Sequence, residues 1–175
     1  MAADQHQKRR GDAAFADWLA PHLGALRRIS RAFAEPADQH DLMQELMLAV
    51  WSARPRFEDR STAATFIYRV AHNTALTWKR GETRRRRRRE GIEAEMALRV
   101  EHDRAEPEAG LLERLYTAIR TLPPVDRSLI LLSLDGVAYG AIAQLHGLSE
   151  TNVGARLTRI RARLSTLVKD DGDGV

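Results

Sequence analysis

Asn152, Arg156, Arg159 and Arg163 recur at four-three-four spacing near the C-terminus. On a helix this spacing lines them along one side. There an amide can read a base edge, and guanidiniums can pair with guanine or clamp phosphate. Upstream, Phe66, Arg69, Asn73, Thr77 and Arg80 repeat in three- and four-residue steps and form a second, mixed ridge. Aromatic, cation, amide and hydroxyl together suit an unstacked base, which needs a flat apolar partner and hydrogen bonds. Asp41, Gln44 and Glu45, interleaved with the apolar Leu42, form a third set: an acidic and amide patch suited to a basic partner helix. Catalysis has little support. His40, Asp41 and Glu45 could be imagined as metal ligands, and His72 or His146 as bases. No paired carboxylates, nucleophile–base set or phosphate-cradling glycine loop accompanies them. The reading is a binding protein, not an enzyme, with no cofactor or metal.

These sets need helices to position them. Apolar residues recur every three or four positions along most of the chain, and few stretches alternate with period 2. The expected fold is all-α. Phe15, Trp18, Leu19, Leu23, Leu26, Ile29 and Phe33 form one stripe, kinked or restarted at Pro21 and ended at Glu35-Pro36. A second helix is expected from about Asp38 to Ser52, with Leu42, Met43, Leu46, Met47, Val50 and Trp51 inward. After a polar connection, Ser61 or Thr62 can cap a third helix carrying Phe66, Ile67, Val70, Ala71, Leu76 and Trp78. The pattern then decays, and 81–109 reads as a charged, flexible linker. Its unbroken cationic run, Arg84 to Arg89, precedes a net acidic stretch to Glu108.

A second helical domain follows over 110–168. Leu111, Leu112, Leu115, Ile119 and Leu122 make a helix stopped by Pro123, and Pro124 suits the first turn of the next. Tyr139 to Ser149 has helix-turn-helix spacing, with Gly147 supplying the sharp reversal. Ser149 caps the last helix, with Val153, Leu157, Ile160 and Leu164 inward and the arginine row roughly opposite. Residues 1–14 and 169–175 are expected to be flexible ends. The full division is thus 1–14, 15–80, 81–109, 110–168 and 169–175.

Charge distribution supports a polyanionic partner. The net charge is only +4, but Lys79 to Arg89 holds eight cations and Arg156 to Arg163 holds a second cluster. The chain has no cysteine, so disulfides and thiolate metal sites are excluded and a reducing compartment is acceptable. No apolar stretch approaches membrane-spanning length, and 1–14 lacks a signal-peptide core. A cytoplasmic protein without direct membrane insertion is expected.

Asp41-Leu42-Met43-Gln44-Glu45, then Phe57, then Phe66 through Asn73, resembles the second conserved region of extracytoplasmic-function (ECF) sigma factors, of the sigma-70 family. Leu122-Pro123-Pro124-Val125-Asp126-Arg127 through Arg163 resembles their fourth. The resemblance implies two small helical domains and a transcription-initiation factor, in a family tied to stress responses. It implies that Asp41, Gln44 and Glu45, with Leu42, dock on the large polymerase subunit's coiled-coil clamp, and that the flap is a further contact. It implies that the loop Phe57 to Thr65, with Arg60 and Ser61, joins Phe66, Arg69, Asn73, Thr77 and Arg80 to capture a flipped base of the −10 element. It implies that Ser149, Thr151, Asn152, Arg156, Arg159, Arg161 and Arg163 contact the −35 element as duplex. The linker would thread into the polymerase cleft, and an anti-sigma factor, able to hold the protein at a membrane, is an expected partner. Three places depart from the family pattern: Phe66 stands where Trp is usual, Thr77 where Asp is common, and Asn152, Gly154 and Ala155 replace the usual recognition-helix residues. A plain operator-binding regulator is the rival reading, and it leaves the Asp41 to Glu45 patch without a role.

Overall fold

The computed structural model describes residues 14–58, 61–89 and 107–170, and every regular element among them is helical. The first helical stretch, α1 at 14–19, leads into a 3-10 turn at Ala20–His22 and then α2 at Leu23–Phe33. Pro21 sits in that turn, where its missing N–H costs nothing, so it restarts the helix as expected. A second 3-10 turn at Pro36–Asp38 leads into helix α3 at Gln39–Ala53, and a third at Arg54–Arg56 begins the connection onward. Helix α4 spans Ala63–Arg89. Thr62 caps it, its hydroxyl accepting from the Thr65 N–H at 3.2 Å.

Helix α4 departs from the sequence reading. It continues through Arg89, nine residues into the stretch expected to be flexible linker. Arginine is a good helix former, so the cationic run can propagate the preceding helix even without an apolar face. Of the linker expected at 81–109, residues 90–106 lie outside the described residues and 107–109 already belong to the next helix. Of the flexible ends expected at 1–14 and 169–175, residues 1–13 and 171–175 lie outside them, while residues 14, 169 and 170 are helical.

The second half contains α5 (Pro107–Arg120), α6 (Pro124–Leu134), α7 (Tyr139–His146) and α8 (Glu150–Asp170). Gly147 ends α7 at φ +64, the left-handed conformation that a side chain resists. Ser149 then caps α8 by accepting from the Asn152 N–H at 3.2 Å. Val153, Leu157, Ile160 and Leu164 bury against α5, α6 and α7. In the first half Leu26, Ile29, Leu42, Leu46, Val50, Ile67 and Ala71 close a three-helix core between α2, α3 and α4.

The two halves are not separate in this structure. Helix α2 packs on α5 and α6, and α4 packs on α6, so the buried apolar side chains form one connected cluster. Polar contacts reinforce the seam. Arg31 and Arg120 both hold Glu113, at 3.1 and 3.0 Å, and Arg28 pairs with Asp135. Burial pushes the Glu113 carboxyl up, but hydrogen bonds from the two arginines hold it below its ordinary value. Arg120 donates to the Arg31 carbonyl at 3.1 Å and buried Arg127 to the Ala32 carbonyl at 3.3 Å. Both acceptors belong to the last turn of α2, where backbone carbonyls lack helical partners and cations meet the negative end of the helix dipole. Arg127 also donates to the carbonyls of Arg120 and Leu122. Pro123 and Pro124 have no N–H to offer the end of α5, so a side chain supplies the missing donor.

Candidate nucleic-acid interface

Helix α3 turns Leu42, Leu46 and Val50 inward, which leaves Asp41, Gln44 and Glu45 exposed on its outer face. Gln44 Nε2 lies 2.9 Å from His40 Nε2, one turn back. Leu42 is fully buried. It supports the patch from beneath and cannot itself touch a partner, so its place among the expected contact residues is corrected. Trp51 differs too. It was expected inward, yet it is 42% exposed and Leu48 is 61% exposed. With Phe15, Gln44 and Met47 they line an apolar groove of about 410 Å³. The signal was present in the spacing: Gln44, Leu48 and Trp51 stand at i, i+4 and i+7, on one side of the helix.

On α4, Arg69, Asn73, Thr77 and Arg80 are exposed, as the three- and four-residue steps require. Phe66 is not. It is 6% exposed, its ring centroid 5.1 Å from Phe57 and 6.5 Å from Trp18. The Arg69 guanidinium covers it at 5.7 Å. An unstacked base has no free face of Phe66 to lie on, and this part of the expectation is corrected. The ring is worth more to the bundle, where it and half-buried Phe57 fasten the start of the 57–62 connection against Trp18. Ser61 and Thr65 are exposed beside it, the Thr65 hydroxyl 3.0 Å from that of Thr62. Arg60 lies outside the described residues.

The fold brings two of the expected sites together. Glu45 of α3 and Asn73, Thr74, Thr77, Trp78 and Gly81 of α4 line one groove of mixed polarity, about 440 Å³ in volume. The Thr77 hydroxyl donates to the Asn73 carbonyl at 2.9 Å, leaving its oxygen free to accept. Asn73 keeps both amide functions on the surface. The groove thus offers donors and acceptors together, which a base edge needs and a phosphate does not.

On α8, Ser149, Thr151, Asn152, Arg159, Arg161 and Arg163 are exposed. Arg156 is held. Its guanidinium meets Asp126 at 2.7 and 3.0 Å, at the start of α6. At about 100° per residue the row from Asn152 to Arg163 lies on a flank of α8, about a quarter turn from the core side rather than opposite it. It lines a groove of about 380 Å³ with Leu122, Asp126 and Ile160. Arg161 leaves on the other flank, donating to Ser133 Oγ at 2.7 Å and Tyr139 Oη at 3.2 Å. The side opposite the core carries Thr151, Ala155, Thr158 and Ala162, all exposed and small. His72 and His146, weighed above as bases, instead share the Ser128 hydroxyl at the seam.

Residues 18–85 match the family model for sigma-70 region 2, and residues 112–164 that for sigma-70 region 4. Among its relatives is the RNA polymerase sigma factor CnrH of Cupriavidus metallidurans, 29% identical over 174 residues, 91% of this chain and 89% of that protein. Another is the ECF RNA polymerase sigma factor SigG of Mycobacterium tuberculosis, 30% identical over 118 residues, 64% of this chain and 30% of that one. The chain belongs to the ECF sigma factors. Solved structures share its two-part helical fold. The sigma factor RpoE in complex with the anti-sigma factor NepR from Bartonella quintana aligns with a TM-score of 0.69 at 23% identity, over 89% of this chain and 97% of that one. CnrH in complex with the cytosolic domain of CnrY aligns with a TM-score of 0.64 at 23% identity, over 91% and 90%. A sigma factor directs RNA polymerase in transcription initiation and is a regulatory factor rather than a catalyst. No helix among the described residues is long and apolar enough to cross a membrane.

Proposed function

We propose that this sigma factor carries core RNA polymerase to promoters through three surfaces. The outer face of α3, with Asp41, Gln44 and Glu45, docks on the coiled-coil clamp of the large subunit. The groove between α3 and α4 captures one unstacked base of the −10 element. Helix α8 enters the −35 major groove, its small residues toward base edges and its arginine flank toward phosphate. One observation carries the reading: Glu45 shares a single groove with Asn73 and Thr77. Docking and base capture are therefore neighbouring events on one rigid pair of helices.

Base extrusion costs a few kcal/mol, which hydrogen bonds from Asn73 and Thr77 offset once the base is in place. With Phe66 buried, capture rests on hydrogen bonding and on the exposed cations Arg69 and Arg80 rather than on stacking there. Solved complexes of RpoE with NepR and of CnrH with CnrY support an anti-sigma partner for this chain as well. We place the work in the bacterial cytoplasm.

The test is in vitro transcription with purified core enzyme on genomic fragments, with start sites mapped. Weak promoter binding by the chain alone and strong binding with core polymerase are expected. Gln44→Ala with Glu45→Ala should lower affinity for core polymerase about tenfold with folding intact. Asn73→Ala should impair open-complex formation more than closed-complex formation. Equal promoter binding with and without polymerase would leave an operator-binding regulator instead.

A further inference from the structure

None of these three surfaces uses the seam between the halves. At its centre the Ser128 hydroxyl of α6 stands 2.8 Å from His72 Nδ1 of α4 and 2.9 Å from His146 Nε2 at the end of α7. His72 and Ser128 are fully buried. We propose that this cluster is a proton-operated latch, in which the shared hydroxyl holds the halves together while both rings are neutral and protonation of the rings lets them part.

The need for parting rests on the promoter reading above. The −10 and −35 elements lie about 25 base pairs apart, roughly 85 Å along the duplex at 3.4 Å per pair. A compact chain of this length has a radius of gyration of about 16 Å. With the halves docked, α4 and α8 cannot both reach their elements. The docked arrangement is a resting form, and the seam must open before the chain spans a promoter.

The cluster is best satisfied by neutral rings, and each added proton leaves a buried charge and an orphaned N–H. A hydroxyl has one proton to give and two lone pairs. His72 Nδ1–H can donate to Ser128 Oγ while Ser128 Oγ–H donates to His146 Nε2, which satisfies all three. A proton on His146 Nε2 reverses the relay, so that Ser128 Oγ–H must donate to His72 Nδ1 and the His72 proton is forced onto Nε2, a buried atom with no partner among the described residues. A proton on both His72 nitrogens leaves an N–H at Nε2, a buried atom with no partner. Carboxylates on the neighbouring elements do not offset the charge. Asp126 is taken by Arg156, Asp135 by Arg28, and Glu113 by Arg31 and Arg120. Asp41 and Glu45 of α3 are exposed, and buried Arg127 adds positive charge beside Ser128.

Burial, then the neighbouring His146, holds His72 down at about 3, and burial, then Arg156, lowers His146. Both forms bind no proton well above pH 6.5, so the closed state is at full strength there. It weakens as pH falls below the ordinary histidine value, because only the open rings charge. At pH 5.5 a ring returned to about 6.5 shifts the open-to-closed ratio about tenfold, and His146 acts in the same direction.

The native chain has no cysteine. Ser52→Cys on α3 and Thr166→Cys on α8, both exposed, therefore place one label on each half of the full chain. Single-molecule energy transfer, without DNA or polymerase, is expected to show the separated fraction rising about tenfold between pH 7.5 and pH 5.5 while helical circular dichroism persists. His72→Gln with His146→Gln should flatten that response. Ser128→Ala, which spares both rings, should raise the separated fraction at pH 7.5. A distance distribution indifferent to pH, or an undiminished response in the double glutamine chain, overturns the latch. With no DNA in the assay, either result leaves the promoter reading untouched. That reading fails separately, if neither Asn73→Ala nor Arg159→Ala alters promoter binding by the polymerase complex.

Discussion

Phe66 and Asn73 stand seven residues apart on α4, yet they do opposite work. Phe66 is enclosed by Phe57, Trp18 and the Arg69 guanidinium, whereas Asn73 is exposed at the groove shared with Glu45. Truncating a buried ring costs its transfer free energy and leaves a cavity. Phe66→Ala is therefore expected to lower stability by about 3–5 kcal/mol in urea titration. A chain of unchanged stability with impaired melting would return the ring to base stacking. Arg159 is exposed on the flank of α8, with no carboxylate among the described residues within ion-pair distance, unlike Arg156 on Asp126. If it clamps phosphate, Arg159→Ala should reduce the slope of log affinity against log salt by about one for −35 duplex. A base contact would show instead as a loss of about 1–3 kcal/mol at one position.

At the scale of elements, the junctions decide how the reading helices are held. The turn between α7 and α8 depends on Gly147 at φ +64. Gly147→Ala has room for its methyl group, since nothing lies within 4 Å of that Cβ position. The cost is purely conformational, about 1–2 kcal/mol, seen as a fall of roughly 2–8 °C in melting temperature. Arg127 does comparable work for two other helices, donating at the C-terminal ends of both α2 and α5. Arg127→Met keeps much of the volume but leaves those buried carbonyls short of donors. A stability loss of about 2–4 kcal/mol is expected in the same titration, and an unchanged midpoint would show the caps to be replaceable.

For the whole molecule, the consequence of docking is a pH-dependent stability. His72 lies in a core built from both halves, with Phe33 packed at 6.4 Å and Ser128 hydrogen-bonded. Its value in the folded chain is lowered to about 3 by burial and by His146, so unfolding lets it bind a proton. Its contribution is complete above about pH 6.5 and is lost progressively as pH falls toward 3. Denaturant titrations should show about 1.4 kcal/mol less stability at pH 5.5 than at pH 7.5 from this ring. His72→Gln should remove that difference.

The helices were legible in the sequence because their determinants are local: apolar periodicity, Thr62 and Ser149 as caps, Pro21 and Pro123 as breaks, Gly147 as a reversal. The exposed faces of α3 and α8 followed from the same spacing, and the family resemblance supplied their assignment to polymerase and promoter. The end of α4 did not follow, since an arginine run has helical propensity but no apolar face to announce a helix. Burial of Phe66, the pairing of Arg156 with Asp126 and the seam itself were decided only by tertiary structure. One clue to the seam was present, because Leu129-Ile130-Leu131-Leu132 makes the middle turn of α6 apolar on nearly every side, and such a turn must be covered all round. What covers it is a matter of contacts between residues far apart in the chain. His72 and Ser128 are separated by 56 positions, and no periodicity reports on such a distance.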